Sequence, residues 1–307
     1  MSFNYYFASF PGKPADAYII ENGLNKLYLQ HTHRKHIDNY ISKEFKGQLF
    51  IDSGAYTAHT KGQKVDVDDY IEFLNKRGEH LTCFAQLDTI PGEYRKKKTL
   101  KQLQDAPEKS WENFLYMYER VDYKEKIIPI FHQGEDFYHL SRMLEWTDED
   151  GNHIDYIGIS PANDLPTSKK IPWFSQCFWI IKNSSNPNVK THAFGMTALD
   201  VLESFPFYSA DSTSYIISAS SGAFYTPYGM VRYDAKHKGY TPREQELHRK
   251  YVESIGCDYD KAISPDPKTW EERALISVIG LGNWAKNYEY KGTNKFTKPL
   301  FFTKYKK

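Results

Sequence analysis

Short apolar, β-branched runs alternate with stretches of helical spacing along this chain, and that alternation restricts the fold more than any other feature. The spacing predicts strands at 5–9, 49–52, 82–88, 127–133, 154–160, 189–195, 207–211 and 215–219. Helical patterns are expected at 67–77, 107–120, 198–204 (with Thr197 as N-cap), 242–254 and 268–286. Strands alternating with helices imply a parallel sheet. About eight strands in roughly 220 residues suit an α/β fold closed as a (β/α)8 barrel of TIM type. An open doubly wound sheet is the rival. It is disfavoured because Gly12 and Pro14 stand where a Gly-rich phosphate loop would follow the first strand. A single domain over 1–307 is expected, with a barrel core at 1–220 and a C-terminal helical part at 221–307 completing the outer layer.

Composition narrows the function. Of 307 residues, 40% are hydrophobic and 26% charged, which fits a globular protein with a substantial core. Formal net charge is only +1, so a nucleic-acid surface would have to be a local patch. One such patch is Arg95-Lys96-Lys97-Lys98-Thr99-Leu100-Lys101, and Arg232 and Lys236 offer further cations. Aromatic residues reach 16%, with 24 Tyr and 19 Phe, which packing or base stacking could use. The three cysteines, Cys83, Cys177 and Cys257, have neither metal nor redox spacing and suit a reducing cytoplasm. No run approaches the length of a membrane span, and no leader pattern opens the chain, so a cytoplasmic protein without a membrane partner is expected.

Polar residues or glycine close six of the expected strands: Asp52, Asp88, Gln133, Ser160, Gly195 and Asp211. In a parallel barrel these carboxyl ends converge on one face, where active sites form. One acidic strand end could merely cap a helix; six in series are harder to explain that way. Two carboxylates there suit double displacement at a sugar carbon, one attacking while the other moves protons. Asp52 opens Asp52-Ser53-Gly54-Ala55-Tyr56, where Gly54 permits close backbone approach and Tyr56 could lie on a planar base. Asp88 precedes the turn Thr89-Ile90-Pro91-Gly92 and could accept hydrogen bonds from a guanine-like ring. The amide of Gln133 can donate and accept on a purine edge. Alternation from Gln133 puts His132 on the opposite face, in a structural role.

Taken in order, these segments resemble the tRNA-guanine transglycosylase superfamily over roughly residues 48–215. Members read Asp-Ser-Gly-Gly-(Phe/Tyr) where this chain has Asp52-Ser53-Gly54-Ala55-Tyr56. An Asp on the next strand is matched by Asp88, and a Gln-Gly pair by Gln133-Gly134. A glycine-containing strand end is weakly matched by Ile157-Gly158-Ile159-Ser160, and a Gly before a short helix by Phe194-Gly195-Met196-Thr197. The nucleophilic Asp comes last, where Asp211-Ser212-Thr213-Ser214 stands. The zinc motif of tRNA-acting members is missing: only Cys257, His237 and His248 occur in that region, so no zinc subdomain and no metal are expected. The chain looks like the compact, phage-encoded branch that replaces guanine in DNA with a 7-deazaguanine, a modification that evades restriction.

That resemblance implies Asp211 as nucleophile and Asp52 as proton carrier. It implies Tyr56, Asp88, Gln133, Gly158, Ser160, Phe194 and Gly195 around the base, with Tyr56 and Phe194 sandwiching it. Phosphates would meet Lys96, Lys97, Lys98, Lys101, Arg232 and Lys236. The partners are DNA and a free 7-deazaguanine such as 7-cyano-7-deazaguanine, without a cofactor; a homo-oligomer is left open. Alternatives are a tRNA-acting transglycosylase, a nucleoside or DNA glycosidase using water, and a barrel that only binds DNA.

Overall fold

A computed structural model describes residues 3–162, 164–233 and 239–306. Its main sheet contains β1 (Asn4–Ala8), β2 (Lys26–Tyr28), β3 (Leu49–Ile51), β4 (Cys83–Ala85), β5 (Ile127–Ile128), β6 (Ile130–His132), β7 (Tyr156–Ser160), β8 (Lys190–Ala193) and β9 (Ser209–Ser212). Every pairing is parallel, in the order β5-β4-β3-β2-β1-β9-β8-β7-β6. That order is the chain order read around a ring. A doubly wound sheet would instead reverse direction at a switch point. The two edge strands, β5 and β6, are separated by Pro129 alone. Proline has no N–H to continue a ladder, but its carbonyl accepts from Gly158 N–H (2.8 Å), while Ile128 O accepts from Gln86 N–H (2.9 Å). The sheet is therefore a nearly closed, nine-stranded barrel, consistent with the TIM-type expectation.

The helices are α1 (Lys13–Glu21), α2 (Arg34–Ser42), α3 (Ala55–Thr60), α4 (Val67–Arg77), α5 (Leu100–Arg120), α6 (Phe137–Glu145), α7 (Thr167–Lys182), α8 (Leu199–Ser204), α9 (Ser214–Ser220), α10 (Pro242–Ser254), α11 (Tyr259–Ile263) and α12 (Trp270–Lys286). Three sequence expectations fail here. Residues 215–219 belong to α9, and the strand that replaces them in the count is β2, hidden because it is three residues long and carries Lys26. That lysine is buried on the outer face of β2, where its ammonium meets Ser9 O and lies 3.5 Å from Asp16. Helix α5 starts well before Pro107, at a capping box formed by Thr99 and Gln102. Helix α8 has Ala198, not Thr197, at its N-cap, with no side-chain cap.

Period-two alternation divides the strand residues between two environments. Tyr6, Leu27, Phe50, Cys83, Ile128 and Ile130 pack inside the barrel, with Tyr156 and Phe194 at the margin. Their neighbours Phe7, Ile51, Phe84, Phe131, Ile157 and Ala193 face the helices in a larger core. Fully burying one such aromatic stabilises the fold by about 1.5–3 kcal/mol.

Beyond α9, strands β10 (Ala223–Thr226) and β11 (Gly229–Arg232) form an antiparallel hairpin. Helix α12 packs on β10, α9, α1 and β1. It approaches closely because Gly280 has no side chain: a Cβ there would lie 2.4 Å from Tyr225 O. Buried Arg273 joins this part to the barrel, donating to the carbonyls of Ala219, Ala262 and Ser264. The aromatic tail lies on the body, with Phe296 stacked on Phe178 and Tyr305 N–H donating to Ser141 Oγ (3.0 Å). Among the described residues no helix is long and apolar enough to cross a membrane.

Candidate active site

Because all nine strands are parallel, their carboxyl ends share one rim, and the chain leaves each strand there through a polar segment. Asp52 follows β3 and Asp88 follows β4. His132 and Ser160 end β6 and β7, and Asp211 lies within β9. Two groups of side chains result.

The first group surrounds Asp211, which is 4% exposed. Its Oδ1 accepts from the Gly195 N–H at 3.0 Å and contacts His192 Nε2 at 3.1 Å. Gly195 adopts φ 61°, the left-handed region that glycine enters without penalty, and so turns its N–H onto the carboxylate. The main chain is pinned too, since Met196 N–H donates to Asp211 O (2.8 Å). His192 is fully buried, and its Nδ1 lies 2.5 Å from Ser209 Oγ, which in turn contacts the Tyr156 hydroxyl.

The second group joins Asp52, Asp88, His132 and Glu135. Asp88 is oriented from both sides: Gln86 Nε2 donates to Oδ1 (2.9 Å), and His132 Nε2 lies 3.0 Å from Oδ2. Burial pushes His132 downward, but the carboxylates of Asp88, Glu135 and Asp52 outweigh it and hold the imidazole up at about 9. It is a cation at neutral pH. Asp52 is pushed up to about 7, by burial first and then by the negative charges of Asp88 and Asp211. The Ser53 N–H, 2.8 Å from Oδ1, and His132 oppose that rise. Glu135 is also pushed up to about 7, by burial and by Asp88, against the pull of His132 and Arg142. Asp52 feels the negative charge of both Asp88 and Asp211, which puts the two groups within electrostatic reach of each other. A carboxyl near 7 can both give and take a proton at neutral pH.

Several expected residues lie elsewhere. Gln133 turns away from the centre: its Oε1 accepts from Ala162 N–H (3.1 Å), and its Nε2 donates to Lys169 O (3.3 Å). The expected parity of this strand is therefore corrected. Ile128, Ile130 and His132 share the inner face, so His132 enters the site and Gln133 braces the loop after β7. Tyr56 stands 59% exposed on the first turn of α3. Phe194 packs edge-on against His192 (4.4 Å) and Phe50 (5.7 Å), inside the barrel mouth. The two rings thus form no sandwich. Gly158 makes room for Phe194, because a Cβ there would lie 2.5 Å from the ring and 3.1 Å from Ile130. Gly158→Ala is accordingly expected to displace Phe194 and cost about 1–3 kcal/mol in urea unfolding. An unchanged midpoint would mean that the mouth is loosely packed.

Lys96, Lys97, Lys98 and Lys101 are exposed on the segment leading from β4 into α5, on the same rim. Lys96 also pairs with Glu93 (2.6 Å). Arg232 sits opposite Ala223, at the end of the hairpin away from its turn. Lys236 lies outside the described residues.

The described residues form two clefts, neither of them lined by Asp52, Asp88, His132 or Asp211. One of about 670 Å³ is lined by Thr197, Ala198, Tyr225, Tyr228 and Trp284, and one of about 490 Å³ by Gln30, His31, Ser53, Gly54 and Lys61. The larger is not the chemical centre. Its charged Glu203 and Lys291 neutralise each other, whereas Asp52 is acted on by the negative charges of Asp88 and Asp211.

His192, His132 and Glu135 were not identified from sequence. A sign was present for His132, which shares the parity of the apolar Ile128 and Ile130. His192 follows Thr191 in a short run with no comparable sign.

No protein-family model matches the chain. It is 27% identical over 223 residues to uncharacterized protein 306 of Sulfolobus islandicus rod-shaped virus 1. The match covers 70% of this chain and 65% of that protein, so the chain spans somewhat less than two thirds of its relative.

Proposed function

We propose that this protein exchanges guanine in DNA for a free 7-deazaguanine by double displacement, on a TIM-type (β/α)8 barrel in which β5 and β6 are one strand interrupted at Pro129. The observation that carries this reading is the convergence of Asp52, Asp88 and Asp211 on one rim, with Asp52 held near 7. The resemblance to the transglycosylase superfamily supplies the substrate class, and the viral relative accords with a virus-encoded modification enzyme.

In the first displacement a carboxylate oxygen of Asp211 attacks C1′ of deoxyguanosine. The C1′–N9 bond breaks, its electron pair leaves with the base, and Asp52 supplies the proton that lets guanine depart neutral. In the second, Asp52 removes the N9 proton of the incoming base. That nitrogen attacks C1′, and the aspartyl ester returns to a carboxylate. Two inversions retain configuration. Asp88 accepts from the N1–H and amino group of the base. Charged His132 takes the place expected of Gln133 on the polar edge, and the Phe194 ring, Ser160 and backbone at Gly158 and Gly195 bound the mouth. Tyr56 is left at the rim, where it can reach a neighbouring base.

The target base must leave the duplex stack, at a cost of a few kcal/mol, so single-stranded or mismatched sites should react faster. Lys96, Lys97, Lys98 and Lys101 are placed to meet the phosphates beside it. Changing all four to alanine is expected to flatten the dependence of log affinity on log salt by about 3, with kcat at saturating DNA retained. An unchanged slope would remove this segment from the interface.

The reading is tested with duplex DNA and, separately, tRNA, each incubated with 7-cyano-7-deazaguanine, digested to nucleosides and weighed by mass spectrometry. A deazaguanine deoxynucleoside from DNA alone is expected. Incorporation into tRNA would move the activity to the tRNA-acting branch. Free guanine released without incorporation would make it a glycosidase.

A further inference from the structure

We propose that His192 is a positioning residue that fixes which oxygen of Asp211 reacts, and that Tyr156 and Ser209 lock His192 in the tautomer required. This inference rests on the role of Asp211 proposed above.

The donors can be followed one by one. A carboxylate oxygen only accepts, so the atom of His192 facing Asp211 Oδ1, Nε2 at 3.1 Å, must carry a hydrogen. In a neutral imidazole Nδ1 is then an acceptor, and Ser209 Oγ–H at 2.5 Å is its donor. The Ser209 oxygen in turn accepts from the Tyr156 hydroxyl. The chain runs one way, from Tyr156 through Ser209 and His192 to Asp211, and leaves none of these buried groups unsatisfied. The rings of Tyr6, Phe50 and Phe194 stand around His192 with centroids at 5.9, 4.9 and 4.4 Å, so the imidazole has little freedom to turn.

With Gly195 N–H and His192 both on Oδ1, Oδ2 accepts no hydrogen bond from the described residues. Oδ2 is therefore the attacking oxygen. In the ester, Oδ1 becomes the carbonyl oxygen, and the same two donors receive it again as charge returns when the second base arrives. No proton passes through His192.

The order Ser209, His192, Asp211 has the members of a hydrolytic triad with the accessibility reversed. Ser209 is 0% exposed beneath the imidazole, so it cannot meet a substrate, and the carboxylate is the end nearer the open mouth.

The test combines nitrogen-15 spectra of the histidine rings with exchange kinetics of the full chain and its variants His192→Leu, His192→Gln and Ser209→Ala. The wild-type protein is expected to show His192 as a neutral Nε2–H tautomer with a slowly exchanging proton. His192→Leu should lower kcat about 10²–10³-fold with KM for DNA within twofold, as expected on losing one oriented donor. His192→Gln, which keeps an N–H, should recover most of that loss. If the leucine variant does not fold, Ser209→Ala replaces it, with mixed tautomers and a several-fold fall in kcat expected. An Nδ1–H tautomer in the wild-type protein, or kcat unchanged in the folded variants, overturns the positioning role and leaves the exchange reaction standing. Absence of exchange in the wild-type protein overturns the reaction. In that case the spectra alone decide the tautomer, an Nε2–H form supporting the fixed donor chain and an Nδ1–H form ending it.

Discussion

Asp211→Ala is expected to abolish base exchange, lowering the rate by about 10⁴-fold or more, since in the proposed mechanism Asp211 is the group that forms the ester at C1′. The side chain accepts two hydrogen bonds through Oδ1, so alanine also leaves the Gly195 N–H and His192 without their acceptor. Asp211→Asn is the cleaner variant. Its carbonyl oxygen can take both donors while the amide nitrogen occupies the place of Oδ2, which preserves the geometry without a nucleophile. DNA affinity is expected to stay within a few-fold of wild type in the asparagine variant. The assay is incorporation of 7-cyano-7-deazaguanine into DNA, read by mass spectrometry beside a binding isotherm. Exchange by Asp211→Ala at near the wild-type rate would remove Asp211 from the chemistry.

Asp52→Asn should have two opposed effects. The rate is expected to fall by about 10²–10⁴-fold, the usual contribution of a general acid–base group. Stability is expected to rise at alkaline pH, because the folded protein holds this carboxyl at about 7 against an ordinary 3.8. The folded state therefore keeps a proton that the unfolded chain releases. The associated stability is complete below the ordinary carboxylate range and is lost as pH rises through about 7. Asparagine cannot ionise and escapes that loss. At pH 8 the gain should be about 2 kcal/mol, roughly half the full conversion of the shift, because the side chain is only partly buried. At pH 4 it should nearly vanish. Urea unfolding at both values measures it, and equal effects at the two would place Asp52 in an ordinary surface environment. The same ionisation predicts that wild-type kcat/KM for DNA falls as pH rises through about 7, since the first displacement needs Asp52 protonated.

Much of the barrel could be read locally. Seven of the eight expected strand positions contain strands of the main sheet, and 67–77 and 242–254 coincide with α4 and α10. These segments have strong period-two or period-3.6 patterns, and such patterns depend only on which neighbours along the chain share a face. The weaker readings failed where pattern and environment diverged. Residues 215–219 are apolar enough for a strand, yet Tyr215 and Ala219 are the buried positions of one helical face, spaced four apart. Pro107 looks like a helix start but lies within α5, whose own start is set by the capping box at Thr99.

Asp52, Asp88 and Asp211 could be singled out because a carboxylate closing an apolar run is conspicuous at any orientation. The sequence alone thus determined the alternation of strand and helix, the polar rim and the acids on it, all properties of neighbours along one strand. The tertiary structure decided the rest. It decided that β5 and β6 meet the ring on either side of Pro129, which requires hydrogen bonds to β4 and β7 far away in the chain. It decided that His132 rather than Gln133 enters the centre, because strand parity is set by pairing and not by the residue that looks most functional. It also put His192 beneath Asp211 and, among the described residues, set both donors on one carboxylate oxygen, a relation between β8 and β9 that exists only once their register places His192 opposite Ser209.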